Sequence, residues 1–138
     1  ALGQMIDAWH RAAAAADGEH YFDALVPDAG LLGTDAGERW TKPQFHDYAT
    51  PYFAQGKGWT YVSRDRHISF STDRHTAWFD ERLDNAKYGE LRGTGVAVLT
   101  QSGWRLSHYS MSFPIPNDLT LEVVARIRAM TPSVEKAQ

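Results

Sequence analysis

No cysteine occurs among the 138 residues, which excludes a disulfide framework, a thiolate zinc site and a cysteine nucleophile. No run of 18 apolar residues occurs, so no segment is suited to cross a membrane as a helix and no membrane partner is expected. Positive charge is not in excess: 14 Lys and Arg stand against 17 Asp and Glu, for a formal net charge of −3. The basic groove that nucleic-acid binding requires is missing, so five Trp and six Tyr are not read as a base-stacking surface. His10, His20, His46, His67, His75 and His108 form neither a His-x-His nor a His-Glu-x-x-His pair, so no metal site is expected. A Gly-x-Ser-x-Gly elbow is absent. Gly93-Thr94-Gly95 lacks both the third glycine and the following helix of a nucleotide loop, and no cofactor is expected.

What remains is an ordinary globular composition. A hydrophobic share of 43% with 22% charged residues fits one folded domain, 1–138, large enough for a real core. The chain begins at Ala1 rather than Met, as it would after removal of a leader or after trimming of the sequence. A soluble cytoplasmic protein and one exported after leader removal are therefore both open expectations.

The first half reads as helices. Leu2, Met5, Ile6, Trp9, Ala12, Ala13 and Ala16 recur at spacings of three and four, predicting a helix over 2–16. A short second helix is expected over 19–25, with Tyr21, Phe22 and Leu25 facing the core. Leu31 and Leu32 suggest a short strand, and Gly33 to Gly37 a turn. Thr41, Pro43 and Gln44 carry the signature of a capping box, opening a helix with Phe45, Tyr48, Ala49, Tyr52 and Phe53. The second half changes period. Residues 59–70, 75–84, 90–100 and 104–113 read as strands, and the short turns between them make them antiparallel neighbours. A terminal helix over about 118–130 is expected, capped by Asn117 or Asp118, with Pro132 and the polar residues after it ending the ordered chain. Helices first and sheet second define an α+β fold with helices on one sheet face.

One strand poses a problem. In "AWFDERLDN", 77–85, one face would carry Trp78, Asp80, Arg82 and Asp84, and the other Ala77, Phe79, Glu81 and Leu83. Both faces mix apolar bulk with full charges, whereas a half-buried strand separates them. Such a strand lies either at a wet surface or along a cavity that holds charge.

The stretches "GTDAGERWT", "YFAQGKGW", "AWFDERLD", "RGTGV" and "GWRLSHYSMSFPIPND" resemble the SnoaL-like branch of the nuclear transport factor 2-like superfamily, over roughly residues 2–119. The resemblance implies a cone: a strongly bent antiparallel sheet wrapped over the N-terminal helices, enclosing a pocket, with a C-terminal helix added. Its members include polyketide cyclases, ketosteroid isomerases, dehydratases, kinase association domains and non-catalytic binders, so fold alone does not assign function. The isomerase residue set does not map onto this sequence motif by motif. The convex sheet face of such folds commonly packs in a dimer, so a homodimer is expected.

In a cone, the problem strand has one face to the pocket and one to a partner. Trp78, Asp80 and Arg82 are expected inward, because Phe79 and Leu83 make a flatter apolar surface for a partner sheet. A one-residue slip would reverse this and make Glu81 the carboxylate of interest. Asp80 is then the candidate proton-transfer base, since desolvation among aromatics raises a carboxyl pKa. Pairing with Arg39, Arg82 or Arg92 is its plainer role. Asp35, Arg39, Trp40, Trp78, Asp80, Arg82, Arg92 and Tyr109 are the expected ligand-binding residues. Asp35, Glu38 and Arg39 sit in a loop, where function concentrates; turn chemistry and a surface ion pair are the alternative. Arg92 precedes glycines that also suit a bend in the sheet. Tyr109 could donate to a ligand oxygen or fill the core, while His108 on the opposite face is expected to be structural. The function these residues suggest is binding of a small organic molecule. A lyase or isomerase acting by proton transfer on a small carbonyl compound, with Tyr109 or Arg92 stabilising an oxyanion, is one alternative; a dimerisation or assembly module is the other.

Overall fold

The computed structural model describes residues 1–130; the tail expected to end the ordered chain lies outside the described residues. Three helices, α1 (Leu2–Ala14), α2 (Gly18–Asp23) and α3 (Lys42–Ala54), are interleaved with strands β1 (Leu25–Leu32) and β2 (Arg39–Thr41). Strands β3 (Val62–Phe70), β4 (Thr76–Asn85), β5 (Gly89–Thr100) and β6 (Gly103–Ser112) follow, then a 3-10 turn (Asn117–Leu119) and α4 (Thr120–Met130). The expected capping box is present: Thr41 accepts from the Gln44 backbone, and the Gln44 side chain accepts from the Thr41 backbone. The expected cap at Asn117 or Asp118 is not; those residues form the 3-10 turn, whose start has no side-chain cap. No residue of α4 is buried.

The six strands form one sheet in the order β2-β1-β6-β5-β4-β3. The pairs from β3 to β6 are antiparallel, as their short turns require, but β1 runs parallel to β6. That parallel pair is possible because α3 and four strands separate its members in sequence. The expected strand around Leu31 is longer, and its partner β2 lies just beyond the turn.

Helices α1, α2 and α3 pack on the inner sheet face. The α1 stripe is Leu2, Ile6, Trp9, Ala12 and Ala13, all buried. It meets Phe79, Leu83, Leu91, Leu106 and Tyr109 of the sheet in one core with Tyr21, Phe22, Ala49 and Phe53. Gly58 lets the chain after α3 pass close to the end of α1: a Cβ there would lie 1.9 Å from the Ala13 carbonyl oxygen. Trp59, next in sequence, donates its backbone N–H to that oxygen and stacks on Phe53.

Strand β4 reverses the expected orientation. Ala77, Phe79, Glu81 and Leu83 are buried, whereas Trp78 is 50% exposed and Asp80 and Arg82 are exposed. Phe79 and Leu83 fill the core under α1 instead of forming a partner surface. The inner face tolerates a charge at Glu81 because donors surround it on every side.

Candidate functional site

Glu81 is the one charged residue buried in the core of the described chain, at 1% exposure. Its side chain accepts four hydrogen bonds. Oε1 takes the Ser63 hydroxyl at 2.6 Å and Arg66 Nε at 2.9 Å. Oε2 takes His10 Nε2 and the Tyr109 hydroxyl, each at 2.7 Å. Burial alone pushes this carboxyl up, but the donors, led by His10 and followed by Ser63 and Tyr109, bring it down to about 2. Glu81 is therefore a carboxylate at neutral pH.

Each donor reaches Glu81 through a local device. Ser63 and Arg66 are three positions apart, so a regular strand would put them on opposite faces. The β3–β4 register shifts between Arg64 and His67, and Asp65 takes φ 51. This bulge brings both side chains inward. The guanidinium of Arg66 also donates to the Gly3 carbonyl at 3.1 Å and to Asp7 at 2.7 Å, tying β3 to the first turns of α1. Burial opposes its charge, and Asp7 and Glu81 more than offset that. Tyr109 lies opposite Gly95 in the β5–β6 ladder, while Gly93 lies opposite Glu81 in the β4–β5 ladder. A Cβ on Gly93 would sit 1.9 Å from the Tyr109 hydroxyl, so the glycine opens the path between the two side chains. His10 stands beside the apolar α1 stripe and crosses to the sheet.

Two members of the network, His10 and Tyr109, line a cavity of about 580 Å³, with Glu81 behind them. Trp9, Tyr21, Trp59, Tyr109 and His10 line its inner part, and half of all its lining residues are Trp, Tyr or Phe. Tyr48, Tyr52, Tyr88 and Phe113 line it while remaining 43–53% exposed. Glu38, Lys57 and Tyr61 add polar groups. Burial raises the Tyr61 hydroxyl, and the nearby Tyr88 and Glu38 raise it further.

A carboxylate only accepts, so the nitrogen facing it, His10 Nε2, carries the proton. In neutral imidazole the lone pair then belongs to Nδ1. Nδ1 has no hydrogen-bond partner among the described residues, and His10 lines the cavity. The arrangement is a carboxylate–histidine pair that presents a basic nitrogen in aromatic surroundings.

Of the residues expected from sequence, Trp40 and Tyr109 line the cavity. Tyr109 gives its hydroxyl to Glu81 rather than leaving it for a ligand. Trp78, Asp80, Arg82 and Arg92 lie on the outer face, so Asp80 is not the cavity carboxylate. Arg82 bonds Glu90 and lies 3.5 Å from Asp65. Asp35 and Arg39 are exposed; Asp35 organises its own turn with Gly37 and Glu38. Glu38 from the same loop does line the cavity. His10, Ser63, Arg66 and Tyr21 are absent from the sequence-based set of candidates, and Glu81 enters it only for the reversed strand. The signals available for them were the second face of 77–84 and the pair Asp65-Arg66, where Asp tolerates the positive φ of a bulge.

A mixed six-stranded sheet packed against three helices, with an aromatic cavity between them, places the chain in the nuclear transport factor 2-like class. The chain belongs to the SnoaL-like domain family, whose model matches residues 2–116. Solved structures share the fold at low identity. A nuclear transport factor 2-like protein of unknown function from Pseudomonas putida is 13% identical, with 84% of this chain and 86% of that one covered and a TM-score of 0.68. A candidate dehydratase of the same superfamily from Streptomyces avermitilis is 14% identical, with 83% and 94% covered and a TM-score of 0.69. A candidate aromatic ring hydroxylase from Novosphingobium aromaticivorans is 17% identical, with 84% and 88% covered and a TM-score of 0.69. No curated protein matches the sequence.

Proposed function

We propose that this chain binds a small, largely aromatic organic molecule in the cavity and moves a proton on it, as a lyase or isomerase would. The observation that carries the proposal is the His10–Glu81 pair at 2.7 Å, with His10 on the wall of an aromatic cavity. Aromatic walls favour a planar apolar body, and few polar groups interrupt them. A receptor for such a molecule needs only the walls. The ionised Glu81 adds something else: it fixes the tautomer of His10 and stabilises the imidazolium formed when Nδ1 takes a proton. His10 replaces Asp80 as the base in this reading. The family, and the candidate dehydratase among its structural relatives, are in keeping with proton-transfer chemistry.

The whole chain is proposed as one domain of this kind, and two copies are proposed to pair through the outer sheet face. Trp78 and Val62 are half-exposed or more on that face. The binding reading is tested by tryptophan fluorescence. Trp9, Trp40 and Trp59 all line the cavity, so titration with fused-ring ketones of two to four rings should quench emission and saturate. Emission unchanged by every member of the series at its solubility limit would remove the proposal.

A further inference from the structure

We infer that the Tyr21 hydroxyl, together with the Trp9 indole N–H, forms the hydrogen-bonding site for a carbonyl oxygen of the bound molecule. This rests on the proposed function and adds the groups that would polarise the substrate. Proton removal next to a carbonyl leaves negative charge on oxygen, and a site that accelerates it aims donors there. The donors expected from sequence are unsuited to the task. Arg92 is on the outer face, and the Tyr109 hydroxyl is held by Glu81.

Two other donors remain on the inner wall. Tyr21 is buried and lines the cavity, and its hydroxyl makes no hydrogen bond among the described residues. That hydroxyl is not sealed off from the cavity. Burial raises its pKa, so it remains a protonated donor. Trp9 is 4% exposed and also lines the cavity. Its Nε1 is the one sealed side-chain polar atom among the described residues without a partner. Buried donors are nearly always satisfied, so such an atom calls for an explanation. The two rings stack, with centroids 5.1 Å apart and planes at 27°. The Trp9 ring is also 5.1 Å from that of His10, so both donors share the wall with the proposed base. The oxygen meets the Tyr21 hydroxyl first. It reaches Trp9 Nε1 after a small turn of the indole or of a ring packed on it, of the kind that accompanies binding.

The step balances without a co-reactant. His10 Nδ1 accepts the proton from the carbon beside the carbonyl, and the C–H pair becomes the new C=C bond. The carbonyl π pair moves to oxygen, which accepts from Tyr21 and Trp9. His10 then returns the proton to carbon.

The test compares 1-tetralone with tetralin, which has the same frame without the carbonyl, by fluorescence and NMR titration of wild type, Tyr21→Phe, Trp9→Phe and the double variant. Both single changes keep an aromatic ring, and thermal melts confirm folding. Wild type should prefer the ketone by about tenfold or more, the scale of one or two hydrogen bonds. Tyr21→Phe should remove most of that preference, and the double variant all of it, with tetralin binding kept. If both probes bind and the preference is absent or survives in the double variant, the inference is wrong while the binding reading stands. If neither probe shifts the signals of cavity residues in any folded variant, both fall.

Discussion

His10 of α1 and Glu81 of β4 are 71 positions apart in sequence, yet Nε2 and Oε2 meet at 2.7 Å inside the fold. The contact joins the first helix to β4, the strand beside the edge strand β3, and Arg66 repeats the connection from β3 through Gly3 and Asp7. The same carboxylate therefore serves stability and the chemistry proposed for the cavity. The two roles can be separated, because they respond differently to substitution.

Glu81→Gln should destabilise the fold strongly. It leaves Arg66, whose side chain is 13% exposed, with only the half-exposed Asp7 as a charge partner, and breaking a buried pair costs about 3–5 kcal/mol. Urea denaturation of the two proteins measures this. A difference under about 0.5 kcal/mol, typical of surface changes, would contradict the account of the network.

Acid should act through the same group. The Glu81 carboxyl is held at about 2 in the fold against an ordinary 4.5. A depressed carboxyl contributes stability above its unfolded value and loses it as pH falls toward the folded one. The contribution is about 3 kcal/mol, full above pH ~5 and fading between pH ~4.5 and ~2. Melting temperature followed across that window should fall less in Glu81→Gln than in wild type. Equal slopes would show that Glu81 is not depressed.

Gly93→Ala tests the access of Tyr109 to Glu81. The new methyl would occupy the place of the Tyr109 hydroxyl, forcing one side chain to move. We expect a loss of about 1–3 kcal/mol, as for overpacked cores. Pairing the change with Tyr109→Phe, which removes the clashing oxygen, should recover part of it. Additive losses would mean that the clash lies elsewhere.

Trp78 reports on association. Half-exposed on the outer face, it should matter little to the fold of one chain, contrary to the buried, pocket-lining place expected from sequence. If the outer face joins two copies, Trp78→Glu should convert a dimer to a folded monomer. The lost interface would be of more than about 1,000 Å². Light scattering that gives a monomer mass for wild type at high micromolar concentration would contradict the dimer.

The elements were legible in the sequence because their signals are local. The α1 stripe, the Thr41–Gln44 box and the turns between β3 and β6 each declare themselves within a few residues. The inner face of β4 was not, since its alternation gives two mixed sets and a one-residue choice decides which is buried. Glu81 enters the sequence reading only as the alternative carboxylate of the reversed strand, because its four donors come from α1, β3 and β6. The bulge at Asp65 hid two of them, because regular alternation sends Ser63 and Arg66 to opposite faces. Trp40 and Tyr109 were found for a simpler reason: a tryptophan beside a charged loop and a tyrosine on the last strand both suit a cavity wall.

Deuterium uptake beside the carbonyl of fused-ring ketones, followed by NMR in D₂O, tests the central claim most directly. Wild type should speed the exchange of at least one ketone that quenches cavity tryptophans. His10→Gln should still bind that ketone and remain folded while its rate falls by about a hundredfold or more, the scale of a lost general base. Exchange at the same rate in both proteins, or no acceleration by wild type of any ketone shown to bind, would contradict the account.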